Sequence, residues 1–256
     1  MTALNALILG IVQGLTEFLP VSSSAHLVMG EELLGANEPG IAFDVLVHSA
    51  TLLAVLVYFR RRILRLVLER SWSYAGKIVL GTIPAGAVGL LFESQLESTF
   101  DDLGLLVVTL AITGILLLSL DAIPEGRPET VEPTWWQSWW IGCAQMVSIL
   151  PAISRSGATI VTARWLGLAP RPSAEFSFLL SIPALAGALV LQLGEIQAGG
   201  SGQVVAYLAG WIAAFVSGIV AIMLVFRLLA GGRFSLFGWY CLAAAGAFGA
   251  WVWLRG

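Results

Sequence analysis

Residues 19–26 read LPVSSSAH and interrupt an apolar segment that runs from about residue 3 to residue 35. Residues 150–157 read LPAISRSG and interrupt a second apolar segment, 136–167, in the same way. Neither half of either segment is long enough to cross the roughly 30 Å hydrocarbon layer of a bilayer. Each segment is therefore expected to enter the membrane, break and return as a re-entrant helix pair, because irregular backbone at that depth needs a polar site around it.

The composition is that of a protein surrounded by lipid rather than water. Of 256 residues, 58% are hydrophobic and 11% are charged, and the mean hydropathy is +0.88. A water-soluble domain does not need that much apolar surface. The net charge of −3 gives no support for nucleic-acid binding. Membrane lipids are the expected surroundings of the chain.

Six further apolar stretches are long enough to cross the bilayer without a break. They lie at about 41–59, 75–92, 103–120, 173–194, 203–229 and 235–254. The expected fold is all-α: a single polytopic membrane domain, 1–256, with six transmembrane helices and two re-entrant helix-loop-helix pairs at 3–35 and 136–167.

Arginine and lysine give the orientation, because they accumulate in short loops on the cytoplasmic side of a membrane. The cluster from Arg60 to Lys77 sets the second helix boundary inside. Counting through the spans places every positive residue inside except Arg155, in the second break, and Arg255. The chain is thus predicted to be a multi-pass protein of the inner (plasma) membrane with both termini outside.

The two halves of the sequence resemble each other, which predicts an internal repeat of 1–125 and 133–256. The two breaks correspond, residues 43–57 run beside 176–190, and Gly81 corresponds to Gly210. Each half holds three spans, an odd number, so the second copy is expected to be inverted in the membrane. Interrupted helices in inverted repeats usually meet near the midplane and form the binding site there.

Ionisable groups inside apolar segments are candidates for that site, since each is costly in lipid. Gln13 and Glu17 are four residues apart on one helix and share a face. That face suits metal coordination or the orientation of a hydroxyl group, and the alternative is a hydrogen bond in helix packing. Asp44 and His48 have the same spacing, and are assigned either to the surroundings of the site or to its outer mouth.

Serines that follow each proline are ordinary helix N-caps, but two helix N-termini aimed at one point also form an anion site. Arg155 strengthens that interpretation, because a lone arginine in a broken apolar helix needs an anionic partner. Ser23 and Arg155 are expected within roughly 8 Å of each other, on one phosphate group. His26 follows as a candidate nucleophile, general base or acid. The candidate phosphate-binding residues are Ser22, Ser24, Ser154, Arg155 and Ser156.

Two stretches resemble the signature motifs of the undecaprenyl-pyrophosphate phosphatase, or bacitracin-resistance, family. They are LGIVQGLTEFLPVSSSAH at 9–26 and LPAISRSGAT at 150–159, and the resemblance extends over essentially the whole chain, including EFSFLLSIP at 175–183. It implies an inverted repeat with two re-entrant pairs. It also implies hydrolysis of a polyprenyl pyrophosphate lipid to the monophosphate, which recycles the carrier for wall polymers, with a divalent metal, Mg²⁺ or Ca²⁺. A homodimer is compatible with it.

The resemblance also implies roles for individual residues. Gln13 and Glu17 would bind the metal, Ser23 would be the nucleophile and His26 the essential histidine. The residues of the second motif would bind the phosphates, and they are Ser154, Arg155, Ser156 and Thr159. Four residues depart from the usual pattern of the family: Ala25 and Ala152, where glycine is common, and Asp44 and His48, where glutamate and glutamine are common.

A polyprenyl-phosphate flippase or an anion transporter is the rival interpretation, since inverted repeats with broken helices are widespread among transporters. A transporter requires anion binding and gates. It does not require a hydroxyl, an imidazole and a carboxylate beside the arginine, and that combination favours hydrolysis.

Overall fold

The computed structural model describes residues 1–35, 41–92, 99, 102–124, 126–192 and 204–255. The last two residues of the predicted span 173–194 and the first residue of the span 203–229 lie outside this described part. Within it the chain forms ten α-helices. They are α1 (Ala3–Phe18), α2 (Ser23–Leu34), α3 (Ile41–Leu68), α4 (Trp72–Leu91), α5 (Leu103–Leu118), α6 (Trp135–Val147), α7 (Arg155–Trp165), α8 (Pro170–Gln192), α9 (Val204–Ala230) and α10 (Leu236–Arg255).

Six helices are long and apolar enough to cross a membrane, which confirms the predicted all-α polytopic fold. They are α3, α4, α5 with the short 3₁₀ turn after it, α8, α9 and α10. The first of them differs from its predicted end at residue 59, because the helix continues to Leu68. Arginine is a good helix former, so the basic cluster extends the helix beyond the apolar stretch.

The two interrupted segments form pairs of short helices, as predicted. Helix α1 ends at Phe18 and α2 begins at Ser23. Helix α6 ends at Val147 and α7 begins at Arg155. Both second helices begin with a serine cap, because Ser22 accepts a hydrogen bond from the Ala25 N–H and Ser154 from the Gly157 N–H.

The packing crosses between the two halves of the chain. Helix α1 packs on α9, and α6 packs on α4. At the first contact a Cβ added to Gly10 would overlap the backbone of Gly210, and at the second a Cβ added to Gly142 would overlap the backbone of Gly81. The two contacts are the same contact with the halves exchanged, as an inverted repeat requires. The boundaries of the repeats at 1–125 and 133–256 stay a prediction.

Helices α5 and α10, the last helix of each half, pack on each other in a reciprocal way. A Cβ on Gly114 would come 2.9 Å from the Gly238 carbonyl oxygen, and one on Gly238 would come 2.7 Å from that of Gly114. This reciprocity is expected of two helices related by the pseudo-twofold axis.

The basic residues predicted to lie on one side of the membrane are grouped by ion pairs at one end of the bundle. Arg62 Nε lies 2.7 Å from Glu175 Oε1, and the Arg62 guanidinium lies over the Tyr74 ring at 5.0 Å. Lys77 pairs with Glu132, and Arg164 with Glu129. The contacts of Arg62 connect α3 with α8 and α4, and the ion pairs of Lys77 and Arg164 connect α4 and α7 to the segment before α6.

Candidate functional site

The two breaks lie against each other. The Ala152 N–H in the second break donates to Ser24 Oγ at 3.2 Å, and the Ser156 hydroxyl donates to the Leu19 carbonyl oxygen in the first break at 3.2 Å. The second break therefore donates two hydrogen bonds to the first. The structure confirms that the two interruptions, 131 residues apart, face one another.

Each break also contains one residue with a left-handed backbone. Ser22 has φ 69° and Ala152 has φ 59°. Residues other than glycine adopt this region only at a cost, so the surrounding contacts must hold it in place. The Ala152 carbonyl oxygen accepts a hydrogen bond from Thr113 on α5 at 3.1 Å, and the Thr113 hydroxyl oxygen in turn accepts from the Ser154 N–H at 3.1 Å. Sequence reasoning missed Thr113, because a threonine in an apolar span shows no signal of what it contacts.

Glu17 lies where the two breaks meet and joins them. Its Oε1 accepts from Arg155 Nη2 at 2.6 Å, and its Oε2 accepts from the Ser23 hydroxyl at 2.9 Å. Ser23 and Arg155 thus bind the two oxygens of one carboxylate, which confirms their predicted proximity. The Glu17 side chain is 5% exposed and the Arg155 side chain 15%, so the ion pair lies in a nearly dry environment where its attraction is strong.

Gln13 and His48 complete the surroundings of this carboxylate. Gln13 Nε2 donates to Glu17 Oε2 at 3.1 Å, so the predicted shared face of Gln13 and Glu17 is confirmed. His48 Nε2 lies 3.9 Å from the same oxygen. His48 Nδ1 donates to the Asp44 backbone carbonyl at 2.8 Å, which leaves Nε2 toward Glu17. The structure thereby places His48 beside the site.

Several buried polar atoms have no hydrogen-bond partner within the described residues, and two of them belong to this cluster. They are Arg155 Nη1 and Gln13 Oε1. A buried donor or acceptor without a partner is costly, so such atoms mark places where a ligand, an ion or a water belongs. The other such atoms are Asp44 Oδ1 and both amide atoms of Gln145.

The remaining predicted residues support the breaks rather than contact Glu17. The Thr159 hydroxyl lies 2.6 Å from Ser177 Oγ on α8 and donates to the Arg155 carbonyl at 2.8 Å. Ser154 Oγ caps α7 and lies 3.3 Å from Ser156 Oγ. In the first break Ser22 Oγ and Ser24 Oγ are 3.2 Å apart in the equivalent arrangement.

The described contacts of His26 lead away from the carboxylate. Its Nδ1 is bonded to the Ser22 carbonyl oxygen at 2.8 Å and its Nε2 to the Tyr240 hydroxyl at 2.8 Å. Both ring nitrogens are engaged, and neither bonds Ser23, whose hydroxyl is on Glu17. Sequence reasoning missed Tyr240, which lies in an apolar span 214 residues from His26.

This arrangement defines a class of protein: an all-α polytopic membrane protein in which two re-entrant helix pairs enclose a carboxylate, an arginine and a serine hydroxyl. Comparison with known proteins assigns the family. Residues 6–247 match the model of the family described as bacitracin resistance protein BacA, and the chain belongs to that family.

Similar proteins carry one name, undecaprenyl-diphosphatase. The protein from Geobacter sulfurreducens is 39% identical, over all of both chains. The protein from Carboxydothermus hydrogenoformans is 40% identical over 94% of each chain, and the one from Methanobrevibacter smithii is 39% identical, also over 94% of each. The motifs quoted above lie inside the matched region.

Proposed function

We propose that this protein is a membrane hydrolase that cleaves undecaprenyl pyrophosphate to the monophosphate and inorganic phosphate. The relatives' shared name supports the substrate and the reaction. The observation that carries the proposal is the contact of the Glu17 carboxylate with both the Ser23 hydroxyl and Arg155. Phosphoryl transfer to a side chain needs a hydroxyl nucleophile, a base that accepts its proton and a group that binds the phosphate. Here the three groups are in direct contact.

Arg155 would bind the pyrophosphate. Its Nη2 is on Glu17, while its buried Nη1 has no partner within the described residues and is free to donate to a phosphate oxygen. The N-termini of α2 and α7 meet at the same place, and both favour negative charge. The substrate would therefore be held between the two halves of the protein, with its prenyl chain in the lipid.

Ser23 is the candidate nucleophile and Glu17 its base. The Ser23 oxygen would attack the terminal phosphorus in line, its proton would pass to Glu17 Oε2, and the anhydride bond would break to release the lipid monophosphate. Water would then hydrolyse the phosphoserine and release phosphate. A water held by the same carboxylate is the alternative nucleophile. The existing Ser23–Glu17 hydrogen bond supports Glu17 rather than His26 as the base.

The family resemblance implies a divalent metal ion, and the residues present fit one. Gln13 Oε1 is a buried oxygen without a partner within the described part of the chain, beside the Glu17 carboxylate. Magnesium commonly takes one or two protein oxygens and completes its shell with substrate phosphates and water. Glu17 and Gln13 would hold the ion, which would supply charge neutralisation to the pyrophosphate oxygens.

The distribution of basic residues supports a location in the plasma membrane and an orientation of the chain within it. With the basic end of the bundle in the cytoplasm, both termini and the α2–α3 side of the site would face outward across the plasma membrane. The enzyme would then act on carrier lipid released at the outer surface during wall synthesis. The description of the family links such proteins to bacitracin resistance.

Phosphate release by the purified protein in detergent micelles tests the proposal. Wild type is expected to release phosphate from undecaprenyl pyrophosphate, and Ser23→Ala to lose at least about a hundredfold of that rate. Ser71→Ala is the matched control, because Ser71 precedes α4 and makes no side-chain cap bond. Binding of the lipid without phosphate release by wild type would contradict hydrolysis and favour the transporter.

A further inference from the structure

We propose that Tyr240 on α10 is a positioning residue for this reaction, acting through His26 on the strained Ser22 backbone beside the nucleophile. The inference rests on the proposed hydrolysis. It adds a residue that lies outside both signature motifs, on the last helix of the chain.

The contacts of His26 fix which ring nitrogen carries the proton. The Ser22 carbonyl oxygen can only accept, so Nδ1, 2.8 Å away, must donate. In a neutral imidazole the other nitrogen is then an acceptor, and the Tyr240 hydroxyl at 2.8 Å donates to it. The two rings are nearly parallel, with 14° between their planes. Tyr240 therefore selects the tautomer in which His26 holds Ser22.

The Ser22 carbonyl is a sensitive point of the site. Ser22 has a left-handed backbone, φ 69° and ψ 108°, and caps α2 immediately before Ser23. Its carbonyl accepts from the His26 backbone N–H at 3.4 Å as well as from the His26 ring at 2.8 Å. The ring bond is the shorter of the two. Loss of it would let the Ser22 peptide relax and would move the Ser23 hydroxyl away from Glu17.

The pseudo-symmetry of the fold gives independent support. In the second break the strained residue is Ala152, and its carbonyl is held by Thr113 on α5. Helices α5 and α10 are the equivalent last helices of the two halves and pack on each other. Each last helix thus supports the break of the opposite half. Thr113 does so directly, and Tyr240 does so through His26.

Tyr240 also suits a clean substitution. It is 49% exposed, and its hydroxyl bonds His26 at 2.8 Å. Tyr240→Phe keeps the ring and removes only the hydrogen bond. Little packing is lost, and the folded protein should be obtained.

Kinetics of Tyr240→Phe form the first part of the test. We expect kcat to fall about tenfold, the value of one hydrogen bond, with KM within about twofold of wild type, since no group that touches the lipid is removed. Tyr58→Phe, which removes a phenol hydroxyl on α3, is the matched control and should match wild type. An unchanged kcat in Tyr240→Phe, measured beside an active wild type, would overturn this inference and leave the proposed hydrolysis intact. An inactive wild type would instead contradict the hydrolysis.

Nitrogen NMR of His26 separates positioning through His26 from a general structural effect. The chain has 2 histidines, so protein with ¹⁵N-labelled imidazoles and the His48→Gln substitution gives one ring. In the protein that retains Tyr240, His26 should show a protonated Nδ1 and an unprotonated, hydrogen-bonded Nε2. In the Tyr240→Phe protein the Nε2 resonance of His26 should shift, or the two tautomers should mix. A protonated Nε2 in the presence of Tyr240, or identical spectra with and without the hydroxyl, would overturn the proposal. The spectrum with Tyr240 decides even if Tyr240→Phe does not fold.

Discussion

At the scale of single residues, the site depends on a buried ion pair between Glu17 and Arg155. The two groups lie 2.6 Å apart and are mostly withdrawn from solvent. Removing one partner of such a pair leaves an uncompensated buried charge, which is costly. A substitution that keeps the charge, such as Arg155→Lys, perturbs the pair least, and removal of the Glu17 carboxylate needs a parallel check that the protein is folded.

Arg155→Lys is expected to abolish turnover while the protein remains folded. Lysine keeps the charge and can still reach Glu17, but a single ammonium cannot bond the carboxylate and a phosphate oxygen as the planar fork does. Phosphate release should fall to less than about a tenth of the wild-type rate, a barrier increase above ~1.4 kcal/mol. A higher rate in the lysine variant would rule out the two-sided role of the guanidinium.

Glu17→Ala should remove activity together with its dependence on added metal. Glu17 is the carboxylate closest to Ser23, and hard cations select such oxygens. The measurement is phosphate release during titration with Mg²⁺ or Ca²⁺ after chelation. Glu175→Gln is the control, because Glu175 also pairs with an arginine, Arg62, but in the basic group and not beside Ser23. Normal metal activation in Glu17→Ala would redirect the search to Asp44, which has a buried oxygen without a partner within the described residues.

The left-handed backbone at Ala152 predicts that glycine is tolerated at this position and that valine is not. Ala152→Gly removes a backbone cost of about 1–2 kcal/mol and loses a comparable amount in methyl burial and chain entropy. The apparent Tm in detergent and the activity should both stay near wild type. Ala152→Val adds a branched side chain at φ 59° and 0% exposure, and should give little folded, active protein. Equal stability of both variants would contradict the strain.

At the scale of helices, the lengths of the apolar stretches in the sequence predicted which helices cross the membrane and which are re-entrant. A stretch such as 103–120 is continuous, so its helix follows from hydrophobicity alone. The halves of 3–35 and 136–167 are too short to cross, so re-entry followed from the lack of water at that depth. The end of α3 was misplaced at residue 59, because apolarity marks the membrane boundary while the helix itself ends at Leu68.

The sequence alone could identify only those site residues that are charged or polar within an apolar segment. Glu17 and Arg155 stand out in this way, and the structure brings them together. The roles of Thr113 and Tyr240 depend on which helix lies beside which break. That neighbourhood is a tertiary property that local spacing does not contain.

Gly10→Val tests the contact between α1 and α9. A Cβ at Gly10 would overlap the Gly210 backbone, and rigid backbone cannot move aside as a side chain can. We expect a loss of about 3 kcal/mol in stability, seen as a lower apparent Tm, together with loss of activity. Gly86→Val is the control, because a Cβ there would have no atom within 4 Å among the described residues. A Gly10→Val protein with normal Tm would mean that the two helices do not approach so closely.

At the scale of the whole molecule, the orientation can be tested with single cysteines. Cys143 and Cys241 are the native cysteines and would first be replaced by serine and alanine. With the basic end in the cytoplasm, Asp102→Cys should react with a membrane-impermeant maleimide on intact cells, and Arg233→Cys only after permeabilisation. Both positions are exposed. The reverse labelling pattern would invert the topology and place the site on the cytoplasmic half.

The contact between Gly10 and Gly210 also bears on how a ribosome can make this protein. Gly10 leaves the ribosome 200 residues before Gly210, and at roughly 5–20 residues per second that interval lasts about 10–40 s. Until residue 155 has been made, α1 carries the Glu17 carboxylate without Arg155, and for the whole interval it lacks part of α9, the helix on which it packs. The first hairpin must wait, either at the lipid headgroups or beside the translocon, until translation is nearly finished. A nascent chain stalled before residue 155 would thus leave the Glu17 carboxylate without its arginine, and one stalled before α9 would leave the packing face of α1 exposed to membrane proteases. The last fifth of the chain therefore completes the packing of the first helix.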